Sequence, residues 1–510
     1  MKSVLIKPSL LTIKGGFLFI LVLSFTFLTG CNSSEVKISD STSLSKAPPI
    51  GGIYFGNGVR TGEVHQKEAI FWARTTLAPE MTKHSTEFIK NKSKKEVVAA
   101  SVKDPFGGQI PKGKKLDDIN GSMMGMSGEV RFSYFPKGSK EKTITTTWFK
   151  TQGQKNFITQ YRAKNLNPGT DYILLSECRK VGADQISDRI VGSFKTAPSR
   201  SYEAEPTFVA VTCGDYPRRD DEEKGHVIYN TMLKMDPDFF VHTGDIEYYD
   251  KPNPYAISTT LAQYKWDRLY SLPYLRTFHN HVTSYFMKDD HDTTMNDSFP
   301  GKNFGALTWD DGIRIFKEQF PMGEKTYRNV RWGKHLEVWM VEGRDYRSVN
   351  RDPDGPQKTI WGEEQKSWFF KTFKNSDATF RILISPTPVV GPDRKNKKDN
   401  HANDGFKHEG DEIRKFLSEQ KNAFIICGDR HWQYHSTEPS LGVHEFSCGP
   451  SSNNHASGYR ETLRNDYHQY LKVLGGFLSV SIKGSNNPKI TFKHHAPKGE
   501  VRYEKSFTSR

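Results

Sequence analysis

The chain has 510 residues, 35% of them hydrophobic and 12% aromatic, more than a single packed core usually organises, so two domains are expected. A mean hydropathy of −0.68 excludes a polytopic membrane protein. The formal charge of +14 favours anionic partners, yet no helix-turn-helix, zinc-finger or aromatic RNA-binding pattern accompanies it, and no specific nucleic-acid partner is expected.

Taken in chain order, the first feature is a leader. Lys2, Lys7 and Lys14 precede an apolar run from Phe17 to Leu28, which ends in Leu28-Thr29-Gly30-Cys31. A basic region, a short apolar region and small residues before a cysteine make a signal peptide over residues 1–30, too short for a good membrane span. The four-residue ending resembles a bacterial lipobox, which would make Cys31 the lipidated first residue of the mature chain; the alternative is ordinary cleavage nearby. Several acyl chains on one cysteine anchor stably where a single chain does not. Residues 31–49 read as a tether, and the expected location is an envelope membrane, periplasm-facing or at the surface of a bacterium. An oxidising compartment permits disulfides, but Cys178, Cys213, Cys427 and Cys448 fix no pairing by number alone.

Residues 50–200 read as a β domain. Ala69–Arg74 is a short apolar strand, Lys142 to Lys150 is rich in Thr and aromatics, and Asn167-Pro168-Gly169-Thr170 is a turn before the strand at Tyr172 to Leu175. The order resembles the end of a fibronectin-III or immunoglobulin-like sandwich. The basic stretches Lys90 to Lys95 and Lys112 to Lys115 read as solvated loops. From residue 201 strands alternate with helical segments, which indicates an α/β layout over 201–510. Strands are expected at Thr207 to Thr212, Asp238 to His242, Thr283 to Met287, Leu336 to Val341, Phe380 to Ser385 and Ala423 to Cys427. Helices are expected at His226 to Met235, Glu364 to Phe373 and Asp411 to Glu419.

The polar residues that follow these strands carry the functional reading. Cys213, Gly244-Asp245, Asp289-Asp290-His291-Asp292, Arg344 and Gly428-Asp429-Arg430-His431 each come just after an expected strand, where ligand sites of open α/β sheets lie. Three carboxylates around one imidazole repel one another unless cations neutralise them, which favours metal binding over a solvated loop. Asn296 stands close behind this run. Asp429 and His431, one residue apart at a strand end, suit one metal or two. Tyr248, three residues after Asp245, adds a phenolate that suits a ferric ion. Arg344 offers a fork for phosphate oxygens, or a structural pair with a carboxylate. His401 and Asp404, on a polar loop, are further pocket candidates.

These motifs in this order resemble the PhoD-like family of alkaline phosphatases and phosphodiesterases, within the calcineurin-like metallophosphoesterases. Gly244-Asp245-Ile246-Glu247-Tyr248 is similar to the family's Gly-Asp-Tyr-Ile-Tyr, and Gly428 to His431 to its Gly-Asp-x-His. Cys213, Asp289 to Asp292, Arg344-Asp345-Tyr346-Arg347 and Gln365 to Trp368 also have counterparts. The resemblance implies an αββα metallophosphoesterase sandwich preceded by the N-terminal sandwich. It implies ferric iron and calcium, with zinc or manganese as alternatives. Cys213, Asp245, Tyr248, Asp290, Asp429 and His431 would hold the metals, and His291 with Arg344 would act on a small or polymeric phosphoester, mono- or diester. The family implies a metal-bound hydroxide as nucleophile, and a monomer is expected. Two departures stand out. Ile246-Glu247 replaces Tyr-Ile, and Asp399 to Phe406 keeps only Asp404-Gly405 and an aromatic of the family's Trp-Asp-Gly-Tyr. A sulfatase reading of Cys448-Gly449-Pro450-Ser451-Ser452 fails because Ser452 stands where that motif needs Arg. The reading from a different class is a surface-tethered module that binds an anionic polymer, with an inactive α/β domain.

Overall fold

Alternation of apolar side chains along short, fully buried strands builds two stacked sheets with helices outside them. The computed structural model describes residues 52–510; the signal and tether segments, with Cys31, lie outside the described residues. Thr207–Val211 turns Phe208 and Ala210 into the space between the sheets, and Val209 and Val211 toward the helices. Ala423–Cys427 does the same from the other side, with Phe424 and Ile426 inward and Ile425 outward. Phe239 stacks on Trp332 at 4.6 Å and Phe446 on Phe492 at 4.1 Å, which joins the two inner faces. Burying each such ring contributes roughly 1.5–3 kcal/mol.

The first sheet has nine strands, in the order Val501–Thr508, Lys489–His495, Phe477–Lys483, Thr207–Val211, Phe239–His242, Ser284–Phe286, Val59–Gly62, Ala69–Arg74 and Ile158–Ala163. The second has seven, in the order Arg328–Trp332, Leu336–Met340, Phe380–Ser385, Ala423–Cys427, His444–Ser447, Gln433–Thr437 and His468–Lys472. Thr207–Val211, Phe239–His242 and Ser284–Phe286 run parallel, as do Leu336–Met340, Phe380–Ser385 and Ala423–Cys427. Helices Val227–Lys234, Thr259–Leu269, Pro273–His281 and Trp309–Gln319 cover the nine-stranded sheet. Gly362–Lys374 and Lys407–Ser418 cover the other.

The N-terminal strands are tied into this body. Val59–Gly62 pairs with Ala69–Arg74 and, in parallel, with Ser284–Phe286. A five-stranded antiparallel sheet built on Glu129–Pro136, Asp171–Arg179 and Asp188–Lys195 packs against that edge, where Phe71 meets Phe132 at 5.6 Å and Phe194 at 5.2 Å.

Most expected elements are present, and the differences have physical causes. The stretch from Lys142 to Lys150 forms two short strands, Ile144–Thr145 and Phe149–Lys150. Thr259–Leu269 was not expected, because its polar pattern hides a buried helix that takes Lys265, Asp267 and Arg268 into the interior. The basic stretch at Lys90 is not wholly a solvated loop: Ser93 and Glu96 form a capping box that starts the helix Lys94–Ala100. Cys178, Cys213, Cys427 and Cys448 are buried and free, so no disulfide occurs among the described residues.

Candidate metal centre

Two sheets deliver their parallel strands to one rim, and glycines let the rim close. The amide N–H of Asp429 donates to Thr212 Oγ1 at 3.1 Å, joining a loop of the seven-stranded sheet to one of the nine-stranded sheet. A Cβ on Gly428 would meet Thr243 Oγ1 at 2.4 Å, so only glycine admits this approach. Gly244, at φ +114, lies against Asp289 in the same way. Cys213, Asp245 and Asp429 adopt φ of 53, 56 and 60, the left-handed region where non-glycine residues are rare and tend to mark functional sites.

The side chains so placed form three overlapping donor sets. Cys213, Asp245 and His431 bring ligand atoms within 4.8 Å of one another, as do Asp245, Asp290 and His291, and Asp245, Asp289 and Asp429. Asp245 belongs to every set, which is the geometry of a bridging carboxylate. Tyr248 Oη lies 3.1 Å from Asp245 Oδ2 and 3.3 Å from His431 Nε2. Cys213 Sγ is 3.8 Å from Asp245 Oδ2.

The electrostatics call for cations. Asp245 Oδ1 and Asp289 Oδ2 are buried without hydrogen-bond partners, whereas Asp429 Oδ2 is met by the Arg430 guanidinium. Burial, then the charges of Asp290 and Asp289, push the Asp245 carboxyl well above its usual range. Burial and Asp245 likewise raise the Cys213 thiol and the Tyr248 phenol. For Asp290 burial works the other way from Arg344 and His291, and the two cations prevail, holding it below the ordinary range. Thiol, phenol and carboxylates crowded in this way fit a metal cluster, since bound cations would stabilise the anionic forms that burial alone disfavours.

Other residues in the cluster support it. Arg344 Nε binds Asp289 Oδ1, and its Nη2 stands 3.8 Å from Asp290 Oδ2. Both Nη nitrogens lack hydrogen-bond partners, so Arg344 is a structural pair with fork nitrogens left over. Asp292 serves the backbone: its carboxylate accepts N–H groups of Ile246 at 2.8 Å, Glu247 at 3.0 Å and Asp289 at 3.1 Å, locking two loops together. His291 Nδ1 bonds Asp250 Oδ1 at 2.6 Å, and Lys94 Nζ donates to Asp250 Oδ2 at 2.8 Å. Burial opposes protonation of His291, but Asp290 and Asp250 outweigh it and raise the imidazole.

The structure does not bring every candidate into the cluster. His401 is buried away from the donor sets, with Nε2 on Glu409 Oε2 at 2.9 Å and its ring against Trp361. Asp404 and the Asn296 side chain are exposed. Sequence reasoning missed Asp250, Lys94 and His455. His455 Nδ1 faces the Gly214 carbonyl at 3.1 Å, and its ring lies 4.3 Å from that of His431. The strand His444–Ser447 shortly before it was the available signal.

Comparison with known proteins decides the family. The model of the PhoD-like phosphatase family matches residues 208–503. The chain belongs to that family. Alkaline phosphatase D of Bacillus subtilis (strain 168) is 22% identical over 295 residues, which span 47% of this chain and 48% of that protein. The match thus spans about half the length of this curated relative. The solved structure of PhoD aligns with a TM-score of 0.67 at 17% identity, covering 89% of this chain and 90% of its own. A purple acid phosphatase isolated from yellow lupin (Lupinus luteus) seeds aligns with a TM-score of 0.57 at 11% identity, covering 88% and 73%. The fold is therefore a mixed α/β fold resembling PhoD and purple acid phosphatase. Within this family frame, Glu247 occupies one of the departing positions; it is buried and paired with Lys265 Nζ at 3.2 Å.

Proposed function

We propose that this chain is an exported, lipid-anchored, metal-dependent hydrolase of phosphoesters, monoesters or diesters, tethered to the envelope through Cys31. The observation that carries the hydrolase reading is the convergence of Cys213, Asp245, Tyr248, Asp290, Asp429 and His431 around buried carboxylate oxygens that lack partners. The basic, apolar and Leu-Thr-Gly-Cys segments of the leader support export and lipidation. The packing of Phe71 on Phe132 and Phe194 supports an N-terminal sandwich as an accessory layer.

Ligand chemistry supports two kinds of metal. Thiolate, phenolate and imidazole from Cys213, Tyr248 and His431 suit ferric iron, and the oxygen-rich side with Asp289, Asp290 and Asp429 suits calcium. When bound, such metals neutralise the phosphoryl group and acidify water for attack. The protein does the rest. Asp250 holds the Nδ1–H of His291, which leaves Nε2 to protonate the leaving oxygen or bind the transferring phosphoryl group. Arg344 fixes Asp289 and balances Asp290, so that the carboxylates stay in place. Asp292 holds the Asp245 loop to the Asp289 loop.

The test is metal content together with a panel of aryl and alkyl mono- and diesters. Bound metal and hydrolysis, both lost in Asp245→Ala and His431→Ala, are expected. Absence of metal, or full hydrolysis in those variants, would overturn the reading in favour of a tethered binding module.

A further inference from the structure

We propose that the mouth of the metal site carries a second anion subsite, formed by Arg218 and Arg394, that selects phosphoesters bearing another phosphate near the one cleaved. The inference rests on the hydrolase reading and names its substrate class.

Two arginines from different loops border His431. Arg218 ends the turn Tyr216–Arg218 that follows the Cys213 loop, and its guanidinium stands 5.8 Å from the centre of the Tyr248 ring. Its Nε is 3.2 Å from Asp215 Oδ2, and its Nη nitrogens form no hydrogen bond or ion pair among the described residues. Arg394 belongs to the loop after Phe380–Ser385 and lies 5.7 Å from the Trp432 ring. Its Nε is 3.5 Å from Asp393 Oδ1, and its Nη nitrogens likewise form no hydrogen bond or ion pair among the described residues. Gly458 leaves room for this side chain, since a Cβ there would meet Arg394 Nη1 at 3.1 Å. Both side chains are 33% exposed, open to solute yet held by an aromatic ring and a carboxylate. Both reach His431 through direct neighbours: Tyr248, which faces Arg218, is 3.3 Å from His431 Nε2, and Ser457, next to the Gly458 that abuts Arg394, is 3.4 Å from His431 Nδ1.

Charge accounting then separates these cations from the others nearby. Arg344 and Arg430 are fully buried, the first against Asp289 and Asp290 and the second on Asp429 and, at 2.9 and 2.8 Å, on Asp393. Lys397 is shared between Asp399 at 3.1 Å and Asp297 at 3.5 Å. Arg218 and Arg394 are instead partly exposed, and each meets its carboxylate through Nε, with the outer edge of a planar fork turned away from it. The scissile phosphate has the metals and His291 to meet its charge. Forks left over at the same mouth suit the paired oxygens of a second phosphate.

The experiment compares kcat/KM for an alkyl monophosphate with that for the matching alkanediol bisphosphate, in metal-loaded protein of wild type and of R218Q, R394Q and the double variant. Wild type is expected to favour the bisphosphate by about tenfold or more, well beyond the statistical factor for two equivalent esters. The preference should shrink in each single variant, vanish in the double variant, and weaken with added salt. Monophosphate turnover should stay within about twofold throughout, which shows that the variants fold and load metal. Equal kcat/KM for the two esters in wild type, or a preference that survives the double variant, would overturn the subsite. Failure of wild type to hydrolyse these two esters and every mono- and diester of the panel above would overturn the hydrolase reading instead.

Discussion

Asp250→Asn isolates what the protein contributes to proton transfer. In the native arrangement the Asp250 side chain is 1% exposed and sits 2.6 Å from His291 Nδ1, with Lys94 closing its other oxygen at 2.8 Å. Against burial, His291 and Lys94 hold this carboxyl far below its ordinary range, so it is an anion at working pH. A neutral amide keeps the shape but weakens the charge-assisted bond and lets the imidazole take either tautomer. Hydrogen bonds to charged groups are worth about 1.5–3 kcal/mol, and loss of such supporting partners typically costs about 10- to 100-fold in activity. The variant should therefore lose about 10- to 100-fold in kcat on an alkyl phosphate, whose alkoxide needs a proton as it leaves. On p-nitrophenyl phosphate, whose phenolate leaves unaided, the loss should be several-fold smaller. Steady-state kinetics on both esters, beside metal analysis, reads the difference. Equal losses on both substrates with metal content intact would refute the leaving-group role of His291. An unchanged kcat on the alkyl phosphate would refute the positioning role of Asp250.

Three further outcomes are expected. If Tyr248 binds ferric iron, the purified protein shows a visible phenolate charge-transfer band that disappears in Tyr248→Phe; a colourless, iron-free, active protein would contradict that ligand assignment. Cys31→Ser should move the protein from the membrane to the soluble fraction, and unchanged membrane association would count against the lipobox. Acid should destabilise the fold, because burial lowers His226 to about 4, His242 to about 3 and His494 to about 3. The unfolded chain takes up these protons first, near pH ~6.5, so stability is full above that value and is lost as pH falls toward the folded values. At pH ~5 each histidine costs up to about 2 kcal/mol by this reasoning. Melting of the metal-loaded protein between neutral pH and that value measures it, and a Tm that holds or rises on acidification would contradict the assignment.

How much of this was legible in the sequence depends on the range of the contacts involved. The strand at Ala423 to Cys427 could be read because five apolar residues in a row end in Gly428-Asp429, a local pattern. The same holds for Phe239–His242 before Gly244-Asp245. Thr259–Leu269 could not, since its buried Asp267 is matched by Arg74 from a strand far back in the chain, at 2.9 Å. His401 illustrates the opposite error. Its polar neighbours made it look like a pocket residue, while Glu409 and Trp361 hold it inside the layer under the Lys407–Ser418 helix. Asp292 shows why composition misleads even within a true cluster. Three adjacent aspartates look equivalent in one dimension, but the turn sends Asp292 to backbone N–H groups and Asp289 to Arg344, and leaves Asp290 to the donor set with Asp245 and His291. Lys94 marks the limit of local reading: a lysine in a basic run looks solvated until the fold places it on Asp250, 156 residues away. Residues that hold a site together are recognised by their partners, and partners distant in sequence appear only once the two sheets have closed on one rim.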